Sequence, residues 1–223
     1  MKKIFLGLFA LSTTLPTLAL ADSGFSAELL MGTSDQSVSM DRPPVDATED
    51  FDLSDKALSY GIRGTYAFND YFAIEAAYMD YGSVEQGYGA MALDVHGMKQ
   101  EIGVEQKLSS RALNAGVKGS YPLTQRLSIN GRLGASYWTM KQETGINASI
   151  SFDDIDIIHA FGPTNTESDS GVGMYYGVGL QYDFTKRFFM AAEYSMTSME
   201  ADFGHQSVKN DIDNLALSVG FKF

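Results

Sequence analysis

Residues 172–196 read VGMYYGVGLQYDFTKRFFMAAEYSM. Val172, Met174, Tyr176, Val178, Leu180, Tyr182 and Phe184 take every second position, against Gly173, Tyr175, Gly177, Gly179, Gln181 and Asp183. After Thr185-Lys186-Arg187 the alternation resumes, with Phe188, Met190, Ala192, Tyr194 and Met196 opposite Phe189, Ala191, Glu193 and Ser195. Period two marks a strand with two unlike faces, and so short a break between two such runs predicts a hairpin. The same pattern recurs over 25–32, 59–68, 72–79, 113–121, 127–137 and 215–223, which makes eight strands. The connections 69–71, 122–126 and 185–187 are short, whereas 33–56, 80–110, 140–171 and 198–213 are long. A compact domain rarely carries four structureless loops above about 15 residues. Short turns at one rim and long loops at the other are the habit of a barrel that crosses an outer membrane.

Composition narrows the classes further. With 28 Asp+Glu against 16 Lys+Arg, the net charge of −12 argues against a nucleic-acid partner. The absence of Cys removes disulfides, zinc-thiolate sites and thiol nucleophiles. Lys2 and Lys3, the apolar stretch Ile4–Leu11 and the small-residue site before Asp22 predict a cleaved signal peptide over 1–21 and a mature domain over 22–223. Past that leader no run of about 18 apolar residues offers a membrane helix.

The apolar faces carry aromatics at two levels. Phe25, Phe68, Phe72, Tyr121, Tyr182, Phe184, Phe188 and Phe223 fall at the short-turn end; Tyr60, Tyr78, Tyr137, Tyr176 and Tyr194 fall nearer the long connections. Ile, Leu, Val, Met and Ala lie between them. Two aromatic girdles around an apolar band predict that this face meets lipid, and that the polar face points into the barrel.

With its leader, its eight alternating strands and a last strand, Leu215–Phe223, that ends in Phe, the chain resembles the OmpA/OmpX-like small outer-membrane β-barrels. The segment Tyr60–Tyr78 is similar to the second hairpin of that group. The resemblance implies an all-β, eight-stranded antiparallel up-and-down transmembrane barrel in the outer membrane of a Gram-negative bacterium. It also implies that Phe221 and Phe223 form the signal read by the barrel-assembly machinery. Nothing follows Phe223, so the peptidoglycan-binding domain of full-length OmpA is not expected.

The inward face carries Glu28, Glu75, Asp183 and Glu193 against Arg63, Lys118, Arg132 and Lys222. An eight-stranded barrel is just wide enough for side chains to fill it, so these eight groups are expected to form a lumen ion-pair network. Pairing Phe68 with Phe72 sets Arg63 diagonally across from Glu75. The inward Gly32, Gly61, Ala67, Ala73, Gly116, Gly134, Gly177, Gly179 and Gly220 leave room for water, which keeps a narrow pore open as the alternative.

The long connections carry most of the acid: Asp35, Asp41, Asp46, Glu49, Asp50, Asp52 and Asp55 in the first, and Glu143, Asp153, Asp154, Asp156, Glu167 and Asp169 in the third. Asp153, Asp154, Asp156 and His159 lack the spacing and turn glycine of a calcium loop, and His96, His159 and His205 share no ligand spacing. No metal or cofactor is expected. Some barrels of this size modify lipid A, but His205 with Ser207, or Ser198 with Glu200, offers no nucleophile elbow and no strand-borne Ser–His pair. The expectation is a non-enzymatic monomer with a structural or surface-interaction role through four long acidic extracellular loops. Its partners would be outer-membrane lipid, lipopolysaccharide and an extracellular ligand or host surface. The alternative is a narrow, OmpW- or porin-like channel for small or hydrophobic solutes.

Overall fold

A computed structural model describes residues 24–40, 52–95, 98–152, 155–162, 164–203 and 206–223. The expected leader over 1–21, the acids at 41, 46, 49, 50, 153 and 154, and His96 and His205 lie outside them. The strands are β1 (Phe25–Met40), β2 (Asp52–Ala67), β3 (Phe72–Val95), β4 (Met98–Pro122), β5 (Leu127–Phe152), β6 (Ile155–Phe161), β7 (Asn165–Asp183), β8 (Phe188–Phe203) and β9 (Gln206–Lys222). All pairings are antiparallel. β1 to β5 and β7 to β9 close into an eight-stranded barrel through the β1–β9 pair, and β6 is a short addition beside β5.

The three short turns share one device. Asn69 Oδ1 accepts from the backbone N–H of Tyr71 and Phe72 at 2.8 and 2.9 Å. Thr124 Oγ1 takes Arg126 and Leu127 at 3.2 and 3.0 Å, and Thr185 Oγ1 takes Arg187 and Phe188 at 3.2 and 2.9 Å. A short polar side chain that caps its own turn is why Asn and Thr stand there.

At the other rim the described residues of the expected long loops are mostly strand. β3, β4 and β5 run for 24, 25 and 26 residues, more than twice the roughly 9–11 needed to cross a bilayer. The segments 33–40, 80–95, 98–110 and 140–152 continue the strands, as do 198–203 and 206–213. The ladder slips between Asp80 and Ser83, where Gly82 sits at φ 79° in a bulge with its N–H on Asp80 Oδ1 at 2.9 Å. A Cβ there would lie 2.6 Å from the Leu58 carbonyl, so this bulge requires glycine.

The two faces exchange chemistry along the barrel. In the lower part Leu29, Ile62, Leu133, Val178 and Leu217 are exposed outward, while Glu28, Arg63, Glu75, Arg132 and Glu193 are buried inward. In the upper part the inward positions become apolar: Val38, Val84, Leu108, Trp138, Met140, Met199, Phe203, Val208 and Ile212 form one buried cluster. The outward positions there turn polar, with Lys107 on Glu85 at 2.6 Å, Lys209 on Asp211 at 2.8 Å and Arg111 on Asp80 at 2.9 Å. A hydrogen bond from Lys141 holds the Glu143 carboxyl below its ordinary range. Lipid demands an apolar outside and water an apolar inside, so the inversion marks where the wall leaves the membrane.

Candidate functional site: the filled lumen

The lower lumen holds one buried charge cluster. Arg63 on β2 reaches across to Glu193 on β8, donating from Nη1 and Nη2 to its two carboxylate oxygens, both at 2.8 Å. Glu28 lies 3.6 Å from Arg63 Nη1, and Glu75 lies 3.9 Å from its Nε. Arg132 on β5 donates from Nε to Glu75 at 3.0 Å and from Nη1 to Asn130 at 2.6 Å, and it also pairs with Glu193. The Tyr175 hydroxyl donates to Glu75 at 2.8 Å, and the Ser218 hydroxyl to Glu28 at 3.0 Å. Two guanidiniums thus hold three carboxylates: Glu193 and Glu75 each take two donor side chains, whereas Glu28 accepts from Ser218 alone and its Oε1 has no hydrogen-bond partner among the described residues.

The eight charged positions read from the sequence separate into three groups. Five of them (Glu28, Arg63, Glu75, Arg132 and Glu193) form the cluster. Asp183 and Lys222 form a separate half-buried pair at the short-turn mouth, at 2.9 Å, with the Lys222 ammonium 5.4 Å from the centre of the Phe189 ring. Lys118 takes the amide oxygen of Gln181 at 2.9 Å and no carboxylate. The diagonal Arg63–Glu75 approach exists, but the forked partner of Arg63 is Glu193. That contact crosses the lumen between strands that are not neighbours in the sheet, whereas alternation and register report only neighbours. Tyr175, Asn130 and Ser218 went unremarked in the sequence because no spacing distinguishes them from other inward polar residues.

The inward glycines house side chains. A Cβ on Gly134 would meet Tyr175 Cε1 at 2.5 Å, and one on Gly116 would meet the Tyr175 hydroxyl at 2.7 Å. The Met79 sulfur fills the space beside Gly61, and the Phe189 ring that beside Gly220. The room expected for water at Gly61, Gly116, Gly134 and Gly220 is occupied by these larger neighbours.

Above the charges comes a neutral polar layer. Gln36 Nε2 donates to the Tyr81 carbonyl at 2.9 Å, and Asn210 Nδ2 donates to Gln36 Oε1 at 2.8 Å and to Ser110 Oγ at 3.0 Å. The apolar cluster around Trp138 and Met140 packs about this layer, with Met140 opposite Ser110 and with Val38 and Met199 opposite Asn210. Among the described residues, side chains therefore occupy the lumen both at the charge cluster and above it. Phe223 closes the last strand: its N–H bonds the Phe25 carbonyl at 3.0 Å, and its ring lies 5.6 Å from that of Phe25 and 5.3 Å from that of Phe221. Ser198 and Glu200 are both exposed on the outer face of β8.

A family model described as "Outer membrane protein beta-barrel domain" matches residues 4–223. No curated protein matches the sequence. Among solved structures the chain is similar to OprG from Pseudomonas aeruginosa, at 15% identity and TM-score 0.48, over 90% of this chain and 96% of that one. Ail from Yersinia pestis, in complex with the heparin analogue sucrose octasulfate, is 18% identical at TM-score 0.45, over 88% of this chain and 99% of that one. Neisserial surface protein A is 15% identical at TM-score 0.41, over 90% and 98%.

Proposed function

The chain belongs to the outer membrane protein beta-barrel domain family and sits in the outer membrane of a Gram-negative cell, and from that premise we propose that it is a closed, non-enzymatic scaffold holding a polar β wall above the membrane. The observation that carries this reading is the lumen cluster of Arg63 and Arg132 with Glu28, Glu75 and Glu193, which fills the interior of the eight-stranded wall at its level. Work that does not pass through the barrel falls to its outer surface. There the strands extend beyond lipid and present Asp35, Glu85, Lys107, Glu143, Lys209 and Asp211 to water, as a structural or partner-binding face. The chain as a whole carries excess acid, which favours a cationic partner on that side. Planar-bilayer recording tests the scaffold reading directly. The purified, folded protein is expected to give no steady unitary conductance. A stable open level in the wild type would overturn the scaffold and promote a narrow channel for small or hydrophobic solutes.

The aromatic end of β9 we assign to assembly. Phe223 ties β9 to β1 at the barrel seam, where the closing strands must meet. Phe223→Ala is expected to lower the amount of heat-modifiable, folded protein in outer-membrane fractions severalfold while export continues. Wild-type amounts of folded variant would remove Phe223 from that role.

A further inference from the structure

The short-turn mouth contains a buried cation that the charge cluster does not absorb. Lys118 is 8% exposed, and its ammonium has three N–H donors but donates only to Gln181 Oε1, at 2.9 Å. Among the described residues no carboxylate lies within 4.0 Å of it. The amide it uses is fixed from the other side, because Gln181 Nε2 donates to Asp183 Oδ1 at 2.9 Å. Asp183 is itself committed to Lys222, which reaches both carboxylate oxygens at 2.9 Å. Directly opposite Lys118 across the β4–β5 ladder stands Arg132, a second cation whose donors go to Glu75, Glu193 and Asn130. The adjoining cluster, with three carboxylates against two guanidiniums, balances the charge of Lys118 but leaves it no hydrogen-bond acceptor beyond Gln181 among the described residues.

Both spare donors of Lys118 have a place to point. A cavity of about 410 Å³ opens at this mouth, lined by Lys118, Gln181, Thr65 and the hydroxyl-bearing Ser26, Ser120 and Ser128. Thr65 is 4% exposed, and its hydroxyl, buried in the same wall, has no hydrogen-bond partner among the described residues. An orphaned hydroxyl and an under-used ammonium on one cavity are two independent vacancies of the same kind: each lacks an acceptor. We infer that this mouth is a binding site for a small oxyanion, a carboxylate or a phosphate, held by Lys118 with Thr65 as second donor. The paired Asp183 and Lys222 stand at its edge and hold Gln181 in place. The anion accepts from the donors that Gln181 leaves unused, and it enters from the side of the short turns. Since the charge cluster lies above it, the site is a blind vestibule and not a stage of a pore.

The test titrates sodium acetate and, separately, inorganic phosphate into the full folded protein in an uncharged detergent at low chloride, by calorimetry and by the shift in unfolding temperature. One saturable site per chain is expected for at least one of the two anions. Lys118→Met should weaken it at least tenfold and Thr65→Val about threefold, whereas Lys56→Gln, at the opposite end of the barrel, should leave it unchanged. Preference for acetate assigns a carboxylate ligand, and preference for phosphate a phosphoryl one. Absence of saturable binding of both anions to the wild type overturns the proposal. So does an affinity that Lys118→Met leaves unchanged. If Lys118→Met does not fold, Thr65→Val decides: an unaltered affinity in that variant also overturns it.

Discussion

Arg63→Ala should cost the barrel about 3–5 kcal/mol, the range seen when one partner of a buried ion pair is removed. The substitution leaves Glu193 without its forked guanidinium and takes away the nearest cation of Glu28. The cluster then holds three carboxylates against Arg132 alone, at positions where Glu28, Glu75 and Glu193 are 2–6% exposed. Water cannot reach them without opening the wall, so the penalty is not screened. Adding Glu193→Ala removes the stranded carboxylate and should recover part of the loss. The coupling energy between these two sites should lie in the upper half of the roughly 0.5–3 kcal/mol found for contacting residues. Coupling between Arg63 and Glu75 should fall near the bottom of that range, because their approach is 3.9 Å and Glu75 keeps Arg132 and Tyr175. Urea unfolding of liposome-refolded protein measures all three. Equal coupling to Glu75 and Glu193 would contradict the cross-lumen fork, and a loss below about 1 kcal/mol would mean that the cluster is hydrated.

The contrast between those two partners shows what the sequence can and cannot reveal. Alternation assigns Arg63, Glu75 and Glu193 to one face, since period two is a local property of the backbone. The β2–β3 ladder also puts Arg63 diagonal to Glu75, through Arg63 opposite Ala77 and Glu75 opposite Thr65. Which carboxylate takes the fork depends on the diameter and shear of the closed ring, and those arise from all eight strands together. Lys118 repeats the lesson. Its residue type and face placed it among the ion pairs, yet an amide took it once Asp183 had turned to Lys222. The upper wall departs from the sequence expectation for another reason. Over 198–203 the alternation continues, but its apolar members, Met199, Ala201 and Phe203, stand on the face that carries Glu193 lower down. A reading that follows one apolar face from end to end sees the pattern break at the membrane surface. A reading that lets the faces exchange there would have carried β8 and β9 onward, with Val208, Asn210, Ile212 and Asn214 as the inner row.

Trp138→Ala tests that exchange, and it should cost about 3–5 kcal/mol, the usual range for emptying a packed aromatic site. Trp138 is 4% exposed and belongs to the same cluster as Leu108, Met140, Met199 and Ile212. Its partners in the ladders are Ala112 on one side and Gly171 on the other. The indole lies over two of the glycines of β7: a Cβ on Gly171 would overlap the ring, and one on Gly173 would come 3.5 Å from its nitrogen. No larger neighbour stands ready at those two positions to refill the space, so the cavity left by alanine should persist and add to the lost transfer energy. If the upper barrel were a set of solvated loops, the same substitution would fall within the roughly ±0.5 kcal/mol of ordinary surface changes. Thr139→Ala, one residue away on the outer face, provides that baseline within the same strand. Because Trp138 is the chain's one tryptophan, its emission gives a second readout in the wild type: weak quenching by acrylamide is expected of an indole shut inside the wall. Strong quenching, together with a stability change below about 1 kcal/mol, would return the upper strands to solvent and dissolve the apolar core assigned to them.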